Sequence, residues 1–158
     1  MQPFDLISRY FWAVCIAITF INFGINRGQP PRLPENDLLR RRILLAMIAP
    51  WLVMGAGIIF GGVPGMWNYF RPQDLNPYVW SWYLSVLLLS VAFAYWVLIG
   101  SGASKVAELR LIRAHFFGKE VLVSERWIKV YAAIAPLFVI LWLWLAWNLN
   151  MPLPKSLR

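Results

Sequence analysis

The side chains best suited to binding an anion are six arginines and a histidine in two short basic stretches. A guanidinium presents several donors in a planar fork, which matches the oxygen atoms of phosphates, carboxylates and lipid headgroups. The alternative is that these residues set membrane topology and attract anionic lipid without specificity. The candidate anion or headgroup contacts are Arg40, Arg41, Arg42, Arg110, Arg113, His115 and Arg126.

The residue types that usually perform covalent or metal chemistry do not form a motif. His115 is the only histidine and Cys15 the only cysteine, and neither stands at motif spacing from carboxylates or further ligands. Cys15 falls in an apolar stretch, where we expect a small packing residue. We therefore assign no catalytic residue, no metal ligand and no cofactor from the sequence.

Two similar segments each place a proline inside a predicted helix. Ala-Met-Ile-Ala-Pro50 resembles Ala-Ala-Ile-Ala-Pro136, and both prolines follow the nearest basic residue by a similar distance. A proline within a helix removes one hydrogen bond and bends the helix. Paired kinks at Pro50 and Pro136 predict a cavity between two repeated units. Alternatively, the two kinks are independent, and the segments resemble each other because the chain uses few apolar residue types. The sequence leaves both interpretations open.

Small residues recur at a spacing that permits close helix packing. Gly57 and Gly61 stand four residues apart, as do Gly100 and Ser104. Such spacing lets two helix backbones approach within a membrane. We expect contacts within one chain, and the alternatives are a homo-oligomer contact or a hinge.

The elements that carry these residues are indicated by four windows without Asp, Glu, Lys, Arg or His, covering 10–26, 43–70, 75–104 and 130–151. Each window includes an apolar run close to the roughly 20 residues that cross a bilayer. We predict an all-α fold with a single integral membrane domain over 1–158. It is a four-transmembrane-helix bundle with spans at about 6–25, 38–61, 78–102 and 127–148. A hydrophobic content of 60% and a charged content of 14% agree with this.

Local signals refine the ends of the third span. Asn76 is expected to cap it, with Pro77 in the first turn. Beyond the span, the segment from Lys105 is predicted to continue as a helix, or to lie along the membrane, until Gly118 ends it.

Charge predicts the orientation of the bundle. The loops between spans one and two and between spans three and four hold eleven of the fifteen Lys and Arg residues. The positive-inside rule places these two basic loops in the cytoplasm and both termini outside. We therefore expect a multi-pass protein of the cytoplasmic (inner) membrane. The net charge of +8 lies beside lipid, so anionic membrane lipids are the expected partners and nucleic acid is not.

Three functions compete. The first is an accessory, assembly or scaffold component of a membrane complex, with a membrane-protein partner or a second copy of the chain. The second is an interfacial membrane enzyme acting on a lipophilic or anionic substrate at the cytoplasmic face. The third is a small transporter, which is disfavoured because no ionisable group is predicted deep within a span.

The enzyme hypothesis draws on a resemblance in topology. In length, number of spans and external termini, the chain resembles the small four-span family of eicosanoid- and glutathione-using membrane enzymes. Spans two and three lack the embedded acidic and basic residues with which such enzymes hold glutathione. The resemblance therefore covers topology alone, and we favour the accessory role.

Overall fold

The computed structural model of the chain describes residues 3–25, 34–108, 113–116, 119–122 and 124–149, and this part contains five α-helices. Four of the helices are long and apolar enough to cross a membrane. The predicted helical architecture with four apolar spans is therefore confirmed, and it is that of a multi-pass membrane protein. The helices are α1 (Pro3–Ile25), α2 (Pro34–Ile59), α3 (Pro77–Leu98), α4 (Gly102–Glu108) and α5 (Glu125–Leu149).

The third span begins as predicted but ends earlier. The Asn76 side chain accepts a hydrogen bond from the backbone N–H of Tyr78 (2.9 Å), so the predicted cap is confirmed. The helix stops at Leu98 rather than near residue 102, and α4 starts as a separate element. A Cβ on Gly102 would lie 2.6 Å from the Trp96 ring. The chain therefore turns closely around Trp96, which a residue without a side chain permits.

The prediction of a helix extending to Gly118 was wrong, because part of this segment forms a β-hairpin. Strands β1 (Arg113–Phe116) and β2 (Lys119–Leu122) pair in antiparallel register. Phe116 lies opposite Lys119, and the β-branched Val121 favours a strand. Gly118, the predicted end of the helix, lies outside the described residues.

The four long helices pack in the order α1–α2–α3–α5, and contacts at both ends show that neighbours are antiparallel. In the first half of α1, Trp12 packs against Gly55, which is near the end of α2. Near the end of α1, Phe23 lies beneath Arg40, which is near the start of α2. Between α3 and α5, Trp80 approaches Trp147 at the end where α3 begins. At the other end, a buried cluster formed by α3, α4 and α5 comprises Val97, Ala103, Val106, Ile128 and Ala132.

These contacts define two ends of the bundle. The aromatic end is where α1 and α3 begin and where α2 and α5 finish. The basic end is the opposite one, with described cations on α2, α4 and α5. At the aromatic end, α2 and α3 are joined by a segment we call the strap, residues 61–76. The strap contains two short 3-10 helices, Met66–Phe70 and Pro72–Asp74.

Candidate functional site

At the basic end, α2 carries three consecutive arginines with different environments. Arg40 is only 8% exposed, and its guanidinium carbon lies 5.6 Å from the centre of the Phe23 ring on α1. A guanidinium stacked over an aromatic face gains a cation–π interaction. Arg41 and Arg42 are exposed. Of the three predicted contacts, Arg40 therefore helps to join α1 to α2, and the other two face outward.

We use the name α4–α5 corner for the exposed side chains of two helices that pack together, Lys105 of α4 and Arg126, Trp127, Lys129 and Tyr131 of α5. Its interior is apolar, because Ala103 and Val106 of α4 belong to the same buried cluster as Ile128 and Ala132 of α5. All five side chains of the corner are exposed. Of these residues, the sequence predicted an anion contact for Arg126 alone. Lys129 is its neighbour on α5, and Lys105 lies on α4, which packs on α5.

Two exposed aromatic rings accompany the cations of the α4–α5 corner. Trp127 and Tyr131 are 56% and 57% exposed, and their ring centres are 6.2 Å apart with the planes inclined by 33°. They stand one helical turn apart at the start of α5. Tryptophan and tyrosine favour the headgroup region because they combine an apolar ring with a polar atom.

The remaining predicted anion contacts are described incompletely. Arg110 lies outside the described residues. Arg113 and His115 lie on β1, opposite Leu122 and Glu120, and their side chains are outside the described part. Their proposed role in anion binding therefore stays a prediction.

The two predicted kink prolines lie within the helices α2 and α5. Both are partly buried. Pro50 precedes the buried residue Met54 at the aromatic end, and Pro136 follows the buried residue Ala132 at the basic end. Each proline thus lies next to a packed core, and a cavity between them stays a prediction.

The small residues lie against aromatic side chains of the same chain. A Cβ on Gly57 would overlap the Tyr69 hydroxyl, and one on Gly61 would overlap the Tyr78 ring. A Cβ on Gly100 would lie 2.7 Å from the Trp96 carbonyl oxygen, and the Ser104 hydroxyl donates to the Ser101 carbonyl at 2.9 Å. The space beside Gly57 and Gly61 is therefore filled from within the chain.

Tyrosine hydrogen bonds fasten the strap to the bundle. The Tyr69 hydroxyl donates to the Met54 carbonyl of α2 (2.9 Å), and the Tyr83 hydroxyl of α3 donates to the Tyr69 carbonyl (2.9 Å). The Trp80 indole N–H donates to the Pro72 carbonyl (3.1 Å). Burial raises the pKa of Tyr69 to about 12. At the aromatic end, buried and hydrogen-bonded side chains therefore join the strap to α2 and α3. The sequence did not predict these contacts.

Five hydroxyl and amide side chains inside the spans bond within their own helices. Thr19 donates to the Cys15 carbonyl at 2.7 Å, and Ser81 donates to the Pro77 carbonyl at 2.8 Å. Ser85, Ser90 and Asn148 form equivalent bonds to the carbonyls of Trp82, Leu87 and Trp144. These bonds satisfy a donor of each of the five side chains within its own helix.

Charge divides unevenly between the two ends. Among the described side chains, the basic end has six cations and three carboxylates: Arg40, Arg41, Arg42, Lys105, Arg126 and Lys129 against Asp37, Glu108 and Glu125. The aromatic end has two of each, and Arg71 forms an ion pair with Asp74 at 3.0 Å. In the described part of the chain, no group of three His, Cys, Asp or Glu side chains could hold a metal ion.

The geometry thus combines an apolar bundle, a closed aromatic end and a cationic end bearing two exposed interfacial rings. These features suit contacts with lipid and with other membrane helices. No protein-family model, no curated protein and no solved structure matches this chain.

Proposed function

We propose that the protein is an accessory, assembly or scaffold component of a membrane complex, whose spans pack against a partner in the same membrane. The observation that carries this proposal is the bonding of five span hydroxyl and amide groups to carbonyls of their own helices. Because these groups bond to their own helices, the spans offer partners an apolar surface suited to van der Waals packing.

The two outer helices of the row offer the largest such surfaces. On α1, large apolar side chains such as Ile18 and Ile21 are more than half exposed, and on α5 the same holds for Leu137 and Phe138. Each of these helices packs along one side against its neighbour, α2 or α3. The other side is available to lipid or to a partner helix.

We propose that the basic end faces the cytoplasm and that both termini are outside, in the cytoplasmic (inner) membrane. The excess of cations at the basic end supports this orientation, because Lys and Arg near span ends favour the cytoplasmic side. The near balance of charge at the aromatic end is consistent with it. Attraction to anionic lipid would then hold the basic end at the cytoplasmic leaflet.

The test is purification of the tagged, full-length chain from its native membrane after cross-linking, followed by mass spectrometry. We expect one larger membrane complex to be recovered in fixed stoichiometry, and an unrelated tagged four-span protein not to recover it. Recovery of the chain alone from cross-linked membranes would contradict the accessory role. If the isolated chain chemically converted a co-purified lipophilic molecule, the enzyme hypothesis would replace the accessory role.

A further inference from the structure

We propose that the α4–α5 corner is a binding site for the phosphate group of an anionic membrane phospholipid. This inference rests on the proposed membrane placement of the basic end, and it holds for either orientation of the bundle. It goes beyond general attraction of basic residues to lipid, because it assigns the binding to one of the two basic surfaces.

The first argument is the arrangement of the cations. Arg126 and Lys129 stand three residues apart on α5, so they are neighbours on the helix surface. Lys105 is exposed on α4, which packs on the first turns of α5 through Val106 and Ile128. Lys105 is thus exposed on one of the two packed helices, and Arg126 and Lys129 are exposed on the other.

The second argument is the set of charges that compete with a lipid. The nearby carboxylates are Glu108 at the end of α4 and Glu125 at the start of α5, and both are exposed. Within the described part of the chain, none of Lys105, Arg126 and Lys129 is recorded in an ion pair. No described carboxylate therefore engages these three side chains.

The third argument is depth in the membrane. Trp127 and Tyr131 form their ring pair in the same turns as Arg126 and Lys129. Such rings favour the headgroup region. Lys129 is also the last charged residue before the apolar run that begins at Val130. The rings and the run together place the cations at the level of lipid phosphates.

The α2 arginines provide the contrast. Arg40 is turned inward over Phe23, and only Arg41 and Arg42 face outward. The Phe23 ring beside the α2 arginines thus contacts a cation of the same chain, whereas the Trp127 and Tyr131 rings of the α4–α5 corner are exposed. We expect Arg41 and Arg42 to act through general charge attraction.

The experiment compares two double variants with equal loss of charge in nanodiscs or mild detergent. Arg126→Gln with Lys129→Gln alters the α4–α5 corner, and Arg41→Gln with Arg42→Gln is the matched control. Binding of phosphatidylglycerol is measured by native mass spectrometry and by thermal shift, with phosphatidylcholine and inorganic phosphate as further probes. Circular dichroism verifies folding, and Lys105→Gln with Arg126→Gln replaces the first variant if it fails to fold.

We expect the corner variant to bind phosphatidylglycerol about 30-fold more weakly, because it loses two direct hydrogen-bonding contacts to the phosphate of about 1 kcal/mol each, in addition to any general charge attraction. The α2 variant should retain most of the binding. Equal losses in both variants, or no loss in either, would overturn the proposal. Equal stabilisation by inorganic phosphate would show a site for free anions instead of a lipid site. Failure to purify a complex would contradict the accessory role but would not change the measured lipid binding. The accessory role and the phospholipid site are therefore tested independently.

Discussion

At the scale of single residues, Tyr69 connects the strap to both central helices. Its side chain is fully buried, its hydroxyl bonds to α2, and its carbonyl accepts from Tyr83 of α3. Its ring also packs against Trp82 with the ring centres 5.6 Å apart. Loss of the hydroxyl should therefore weaken the strap while leaving the packing of the ring in place.

We predict that Tyr69→Phe lowers the free energy of unfolding by about 1 kcal/mol, the usual net value of one hydrogen bond. For a chain of this length, that corresponds to a fall in Tm of about 2–4 °C. Tyr95→Phe is the matched control, because Tyr95 is 65% exposed. Thermal unfolding in detergent checks the difference. Equal Tm changes in the two variants would contradict the role given to the Tyr69 hydroxyl.

The raised pKa of Tyr69 predicts a specific loss of stability at alkaline pH. Burial raises this pKa from 10.0 to about 12, because the charged form is poorly solvated in the folded protein. The unfolded chain therefore ionises first, so this contribution to stability is complete below pH 10 and is lost as the pH rises towards 12. The loss should be on the order of 2 kcal/mol.

Comparison of wild type with Tyr69→Phe isolates this contribution, since both proteins share every other titrating group. Their difference in unfolding free energy should be constant below pH 10, and the wild type should lose stability faster above it. Absorbance titration should also show one tyrosine fewer ionising near pH 12 in the variant. A difference in stability independent of pH would contradict the prediction.

Burial of individual apolar residues on α5 gives a third prediction. Ile128 is 1% exposed within the cluster formed with α3 and α4, whereas Ile134 on the same helix is 50% exposed. Ile128→Ala should cost about 2–4 kcal/mol, because it leaves a cavity in packed protein. Ile134→Ala should cost much less, because mobile lipid can fill the space. Unfolding measurements in bicelles check this, and equal costs would show that α5 is packed differently.

At the scale of elements, the long helices could be predicted because lipid imposes a simple requirement. An apolar run of about 20 residues can pair all its backbone groups within itself in a bilayer only as a helix. The start of α3 was predictable from Asn76 and Pro77, which are local signals. The β-hairpin was missed because the run of charged and apolar residues from Lys105 also fits an amphipathic helix.

The candidate site was predictable only in part, because it depends on packing between elements. Arg126 could be chosen from its charge, but its grouping with Lys105 requires the turn around Trp96 that brings α4 onto α5. The inward position of Arg40 depends on Phe23 of a different helix. Helix periodicity within one segment contains no information about either contact.

Packing between elements also predicts the effect of a substitution on the small face of α2. A Cβ at Gly57 would overlap the Tyr69 hydroxyl and would lie 2.9 Å from Cβ of Tyr78. Gly57→Ala should therefore destabilise the fold by about 1–3 kcal/mol, the usual cost of overpacking. Because this face is filled from within the chain, the variant should keep the oligomeric state of the wild type.

A double-mutant cycle tests this overlap directly. In the Tyr69→Phe background, the overlapping oxygen is absent, so Gly57→Ala should cost at least about 0.5 kcal/mol less than in wild type. Chemical unfolding in detergent gives the four free energies. Additive effects would show that the hydroxyl is not the atom that the added methyl group meets.

At the scale of the whole molecule, the two ends differ in how the helices are joined. The aromatic end has a buried cluster drawn from α2, the strap and α3, with Trp12 of α1 and Trp142 of α5 packed against it. The buried cluster at the basic end belongs to α3, α4 and α5. The Arg40–Phe23 contact joins α1 to α2 there. The aromatic end thus has a core that all four spans contact.

The distribution of charge between the two ends leads to a prediction about orientation. Transfer of the basic end across the membrane would move more cations than transfer of the aromatic end, so the basic end should stay in the cytoplasm. In a Cys15→Ala background, Gln2→Cys should react with an impermeant thiol reagent in intact cells. Ser124→Cys, just before α5 at the basic end, should react only after permeabilisation. The reverse pattern would show that the bundle has the opposite orientation. Labelling of both sites in intact cells would contradict the prediction that they lie on opposite sides of the membrane.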